Sequence, residues 1–187
     1  MAIEDHSAIV KSIVWPDEAA TRSFAQSLAA SLLQCQPAGH AIIELHGDLG
    51  AGKTTLVRHL LGALGVTGRI KSPTYAVVEP YSVALTPPHA SATRLAIWHF
   101  DFYRFNDPDE WEEAGFRDLF ASTGLKLVEW PEKAGDHLPA PDLAIHITLA
   151  DALANADGQT EAAAEAVRQV QLRAFTPTGR ALIDPLA

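Results

Sequence analysis

The chain has 187 residues, 48% of them apolar, and a formal net charge of −9 from 14 Lys and Arg against 23 Asp and Glu. That length and apolar content suit one globular domain over 1–187 with a sizeable core, and no run of 18 apolar residues offers a membrane span. The acidic balance argues against direct, unassisted nucleic-acid binding, which needs a basic face, and the single cysteine, Cys35, excludes an internal disulfide and a thiolate zinc cluster.

The first 15 residues begin with an acidic segment, Met1 to Asp5, which lacks the basic start of a signal peptide; a cytoplasmic protein is expected. Ser7 to Trp15 carries Ile9, Val10, Ile13 and Val14 in imperfect alternation and is predicted as an edge strand. Pro16-Asp17 opens a helix to about Leu33, with Asp17 as N-cap and Phe24, Leu28 and Leu32 repeating every four residues. Gln36 to Gly39 breaks it, and Ala41 to Leu45 reads as a short buried strand. Thr54 to Leu64 is predicted helical, with Leu56, Leu60 and Leu64 on one face and Gly65 ending it. Ala76 to Tyr81 and Leu95 to Phe100 are predicted strands, close enough in sequence to pair antiparallel; Thr86 to Ser91 between them is a loop. Asp107-Pro108-Asp109 starts a helix that stops near Gly115, and a second helical piece follows through Leu119 and Phe120. Leu125 to Val128 is another strand. Leu143 to Leu149 alternates in period two, which predicts one exposed face. Ala150 to Ala164 reads as a flexible insertion or a weak helix, and Val167 to Ala174 as a strand pairing with 143–149. Helices interleaved with apolar strands around the phosphate-loop pattern of Gly47 to Thr55, with hairpins at both ends, predict an α/β three-layer sandwich of the phosphate-loop NTPase type, its mixed sheet having a parallel core and antiparallel edges.

The strongest chemical signal lies between the second strand and its helix. Gly47, Asp48, Leu49, Gly50, Ala51, Gly52, Lys53, Thr54 and Thr55 satisfy G-x-x-x-x-G-K-[ST], a phosphate-binding loop. Glycines permit backbone angles that turn consecutive N–H groups inward on a phosphate. Lys53 supplies an ammonium to the β- and γ-phosphates, with little packing role expected, and Thr54 supplies a hydroxyl to Mg²⁺. A strand turning through glycines into a helix also aims the positive helix end at the phosphates. Asp101 ends an apolar strand in the form of the acid that binds Mg²⁺ directly or through water; the alternative is a capping or loop aspartate. Glu129 ends another, and is read as a ligand of Mg²⁺ or an orienter of the attacking water, against an ordinary surface glutamate. Thr74, in Ser72-Pro73-Thr74, stands where a γ-phosphate sensor could sit, or is part of an ST-turn. Trp98 and Trp130 are more often core than ligand contacts. Arg104 fits a structural ion pair better than a phosphate contact. The eight histidines show no metal-ligand spacing, and His99 reads as a positioning or packing residue.

Taken together, Gly47 to Thr55, Ser72-Pro73-Thr74-Tyr75, His99-Phe100-Asp101-Phe102-Tyr103-Arg104 and Glu129-Trp130-Pro131-Glu132, in this order, closely resemble the TsaE (YjeE) family of bacterial ATPases of tRNA threonylcarbamoyladenosine synthesis. The resemblance covers about residues 10 to 149; the stretch 150–164 looks like an extension. It implies binding of ATP/ADP and Mg²⁺, and action with the proteins TsaD and TsaB, which transfer the threonylcarbamoyl group beside the anticodon. Hydrolysis would reset that assembly, and tRNA would be engaged mainly through the complex. By the same resemblance Lys53 and Thr54 hold phosphate and metal, Asp101 and Glu129 form the acidic pair, Trp130 supports the site, and Ser72 to Tyr75 is a nucleotide-responsive switch. Asp17 and Thr21 would lie by the adenine. Two other classes fit a phosphate loop: a small-molecule kinase, disfavoured because Ser82 to Thr93 carries no basic residue for a closing lid, and a nucleotide-responsive binding module with little hydrolysis.

Overall fold

The computed structural model of the chain describes residues 9–35, 37–85, 94–150 and 166–186. Local chemistry explains most element boundaries. Helix α1 (Glu18–Gln34) starts where Asp17, in extended backbone, accepts the N–H of Ala20 at 2.7 Å. Phe24, Leu28 and Leu32 form its buried stripe, each worth about 1.5–3 kcal/mol of apolar burial. Helix α2 (Lys53–Ala63) follows the glycine loop and buries Leu56, Val57, Leu60 and Leu61. The segment after Asp107 gives two short helices, α3 (Glu110–Glu113) and α4 (Phe116–Ala121), separated by Gly115 in left-handed backbone.

Among the described residues seven strands form one sheet: β1 (Ile9–Trp15), β2 (Ala41–His46), β3 (Val78–Ala84), β4 (Arg94–Asp101), β5 (Leu125–Glu129), β6 (Leu143–Leu149) and β7 (Arg168–Ala174), in the order β1-β7-β6-β2-β5-β4-β3. The centre, β6-β2-β5-β4, is parallel; β1, β7 and β3 pair antiparallel at the two sides. The mixed sheet expected from the sequence is the sheet observed, including the β3–β4 and β6–β7 pairs.

The two faces differ. Ile43, Leu45, Ile97, Leu125, Leu127, Ile145 and Leu172 share one core with α1, α2 and the C-terminal helix. Phe100 and Val128, on the other face, pack with Phe102, Phe105, Trp111, Phe116 and Phe120, so α3 and α4 cover the β4–β5 side. The long alternation of β6 predicts one exposed face, but Ala144 is buried as well as Leu143 and Ile145. It stands in register between Glu44 and Arg173, whose longer side chains flank its methyl group. Helix α5 (Pro177–Ile183) is absent from the sequence expectations. Its start is nonetheless ordinary: Thr176 accepts the N–H of Gly179 at 3.1 Å, donates to Asp142 at 2.5 Å, and precedes a proline at the first helical position. The loop predicted over 86–91 and all but Ala150 of the stretch predicted over 150–164 lie outside the described residues. Among the described residues no helix is long and apolar enough to cross a membrane.

Candidate functional site

The parallel register builds the site. Asp101 pairs with Glu129, and Glu129 with Leu45, so two acids and the start of the glycine loop stand side by side at the carboxyl edge of the sheet. Loops leave the sheet there, and in open α/β folds ligands bind there. A cleft of about 270 Å³ at this edge is lined by Leu49, Gly50, Gly52, Lys53, Thr54, Thr55, Ser72, Thr74, Asp101, Tyr103, Glu129 and Trp130. The loop needs its glycines in at least two places. Gly47, at φ +137, has no room for a Cβ against the Ile147 carbonyl, and Gly52 sits at φ +111 as the residue before α2.

Both acids are buried and fully engaged. Glu129 Oε1 accepts from His99 Nε2, and Oε2 from the Thr54 hydroxyl, each at 2.8 Å. These bonds require His99 to carry its proton on Nε2; its buried Nδ1 has no hydrogen-bond partner among the described residues. Asp101 Oδ2 accepts from Ser72 at 2.9 Å and Thr74 at 2.5 Å, and Oδ1 from the backbone N–H of Tyr103 at 3.1 Å. The Ser72–Thr74 segment is therefore tied to the acid at the end of β4. Glu129 is no surface glutamate, and His99 has the positioning part expected of it.

Lys53 departs from its expected lack of packing. It is 4% exposed, its Nζ lies 3.8 Å above the Trp130 ring, and it donates to the carbonyls of Gly47 and of Asp48, the latter at 3.0 Å. Burial pushes its pKa below the usual lysine value, against the pull of Glu129, Glu132, Asp101 and Asp48. Trp130 reaches this position from a left-handed backbone, φ +58, which is rare outside glycine and costs on the order of 1–3 kcal/mol. Val77, just after the Ser72–Tyr75 segment, has φ +66, a conformation β-branched residues seldom adopt.

Some expected residues fall elsewhere. Asp17 is used as the cap of α1, and Thr21 is buried with its hydroxyl turned to the Asp17 carbonyl at 3.5 Å; neither lines the cleft. Gly47, Asp48 and Ala51 shape the loop without lining it. Arg104 stacks on Tyr75, 4.2 Å from the ring centroid, in place of the ion pair expected for it. Tyr103 lines the cleft and packs on Trp130 at 5.0 Å, a role for which its sequence position carries no signal beyond adjacency to Asp101.

The donor set can be judged for Mg²⁺. Thr54, Ser72, Thr74, Asp101 and Glu129 offer hard oxygen atoms, which suits that ion. Among the described residues no group of three or more His, Cys, Asp or Glu could hold a metal by itself.

A mixed sheet with a parallel centre, a glycine loop running from β2 into α2, and two acids at the neighbouring strand ends define an α/β protein with its loop and acids gathered at one edge of the sheet. The profile of the family described as "Threonylcarbamoyl adenosine biosynthesis protein TsaE" matches residues 15–157. The chain is 40% identical over 136 residues to the tRNA threonylcarbamoyladenosine biosynthesis protein TsaE of Haemophilus influenzae, covering 73% of this chain and 80% of that one. It is 39% identical to the protein of the same name from Synechocystis over 126 residues, 63% of this chain and 68% of that one. The crystal structure of Bacillus subtilis YdiB superposes with a TM-score of 0.65 at 23% identity, covering 97% of both chains, a likeness of fold. The chain belongs to the TsaE family.

Proposed function

We propose that this protein is a Mg²⁺-dependent ATPase, converting ATP to ADP and phosphate, that serves tRNA N6-threonylcarbamoyladenosine synthesis by acting on a TsaD–TsaB complex without transferring the group itself. The observation that carries this proposal is the convergence of Lys53 and Thr54 with Asp101 and Glu129 in one cleft at the carboxyl edge of the sheet. Relatives named for threonylcarbamoyladenosine biosynthesis supply the biological setting.

Each residue has work consistent with its geometry. The loop N–H groups and the positive end of α2 bind the nucleotide phosphates. Lys53 exchanges the carbonyls of Gly47 and Asp48 for phosphate oxygens while its stem stays against Trp130. Thr54 and Asp101 would hold the metal, with Ser72 and Thr74 orienting Asp101 through its second oxygen. When bound, Mg²⁺ neutralises charge on the β- and γ-phosphates. His99 fixes one oxygen of Glu129, so the other, now facing Thr54, is the one available to the metal or to the attacking water. Among the described residues no arginine lines the cleft. An arginine finger is worth about 10³–10⁵ in rate, so the isolated protein is slow and a partner accelerates it, by donating an arginine or by ordering Ser72–Tyr75 and Glu129. The net charge of −9 leaves most of the tRNA contact to TsaD and TsaB.

The test is steady-state phosphate release by the protein alone, then with TsaD–TsaB, then with tRNA. Slow release that rises on adding the complex is expected. Fast release in isolation, indifferent to both additions, overturns the proposal.

A further inference from the structure

Arg168 opens β7, beyond the residues 15–157 that carry the family match, and no sequence motif marks it. The antiparallel register seats it opposite Leu149 on one side and Trp15 on the other, at the carboxyl edge where the glycine loop begins. Its Nε donates to the Ala51 carbonyl at 2.9 Å, across 117 residues of sequence, while Nη1 donates to the Ala166 carbonyl at 2.9 Å. Two bonds from different nitrogens fix the plane of the guanidinium. Contact with the loop is also steric. A Cβ on Gly52 would stand 2.9 Å from Arg168 Nε, so the arginine closely approaches the last loop residue before α2.

The direction of these contacts matters. Ala51 C=O and Gly52 N–H belong to one peptide plane and, in the trans form, point opposite ways. A donor that fixes the Ala51 carbonyl therefore fixes the direction of the Gly52 N–H as well. A cationic donor on the carbonyl also strengthens the N–H of the same peptide as a donor. The preceding peptide is held as well, since the Ala51 N–H donates to the Asp48 carbonyl at 3.1 Å.

We propose that Arg168 is a positioning residue of the phosphate loop, orienting the 51–52 peptide so that the Gly52 N–H addresses a nucleotide phosphate. The proposal rests on the reading of the loop as an ATP site, and it places the brace in a segment outside the family match.

The experiment uses the full chain with Arg168→Met, which keeps the apolar stem and removes the donors, Arg168→Ala, and Arg168→Lys. Titration calorimetry with Mg·ATP and Mg·ADP is expected to show Kd raised about ten-fold in the first two variants, the usual scale for losing a charged donor. KM for ATP, measured with TsaD–TsaB, should rise by the same factor while kcat is unchanged, because the loop holds phosphates alike in ground and transition states. Arg168→Lys should recover part of the affinity. Amide exchange at Ala51, whose N–H is bonded to the Asp48 carbonyl beside the braced peptide, should quicken in nucleotide-free Arg168→Met. Wild-type affinity in a folded Arg168→Met protein overturns the proposal, as does a fall in kcat at constant KM. If the wild-type chain binds no nucleotide, the ATPase reading fails, and the Ala51 exchange rate alone decides whether Arg168 positions the loop.

Discussion

Replacing Glu129 by glutamine and by alanine should separate chemistry from stability. The side chain is 3% exposed, with His99 Nε2 on one oxygen and the Thr54 hydroxyl on the other, both at 2.8 Å. Glutamine fills the same space. Its oxygen can keep the His99 bond, and its NH₂ can face Thr54, whose hydroxyl turns round to accept. His99 has no such freedom, since moving its proton to Nδ1 would bury an N–H without a partner among the described residues. Two charged hydrogen bonds become neutral ones, a loss offset by no longer burying a carboxylate, and the net change should stay within about 1 kcal/mol. Alanine strands the His99 N–H, at about 1–3 kcal/mol, and leaves a cavity; together these cost about 2–4 kcal/mol. In a chain of this size each kcal/mol shifts Tm by about 2–4 °C, so Glu129→Ala should melt roughly 4–16 °C lower and Glu129→Gln within about 4 °C of wild type. Neither variant offers a carboxylate to metal or water, so turnover in both should fall by about 10²–10⁴. Scanning calorimetry and phosphate release measure the two effects. A Glu129→Gln protein with wild-type turnover, or one that melts as low as Glu129→Ala, would refute this reasoning.

Three further outcomes are expected. Lys53→Met should keep the stem on Trp130 and remove a buried ammonium, leaving Tm unchanged or raised while Mg·ATP affinity drops about 10- to 100-fold by titration calorimetry. A double-mutant cycle of Asp101→Asn and Thr74→Val, followed by urea unfolding, should show a coupling of about 1–2 kcal/mol from their 2.5 Å bond; strictly additive losses would contradict it. Lys126 is fully buried beneath α4, donates to the Ser122 carbonyl, and is held below the usual lysine pKa by that burial. Between its folded pKa and the ordinary value the unfolded chain binds more protons, so stability should rise with pH across that alkaline window, and Lys126→Met should flatten the rise in urea unfolding measured from pH 8 upward.

The amino-acid sequence by itself determined the strand–loop–helix around Lys53, because backbone freedom, phosphate chemistry and helix periodicity are all local and leave marks within ten residues. It also determined the strand ends at Asp101 and Glu129, since an acid after an apolar run is visible wherever the strands come to lie. The capping of α1 by Asp17 was readable for the same reason, and that local duty keeps the side chain away from the cleft. The α5 helix carried its signal in Thr176-Pro177, where the proline is set for the first helical position and the threonine for the cap. What only the tertiary structure decided was adjacency. Asp101 and Glu129 meet because β4 and β5 pair in parallel with that register, and a shift of one residue would turn one acid to the opposite face. The stack of Lys53 on Trp130, the bond from His99 to Glu129 and the bond from Arg168 to Ala51 join residues 30 to 117 apart in the chain. No local pattern encodes such contacts, since they depend on which strands become neighbours, and long-range pairing in the sheet settles that.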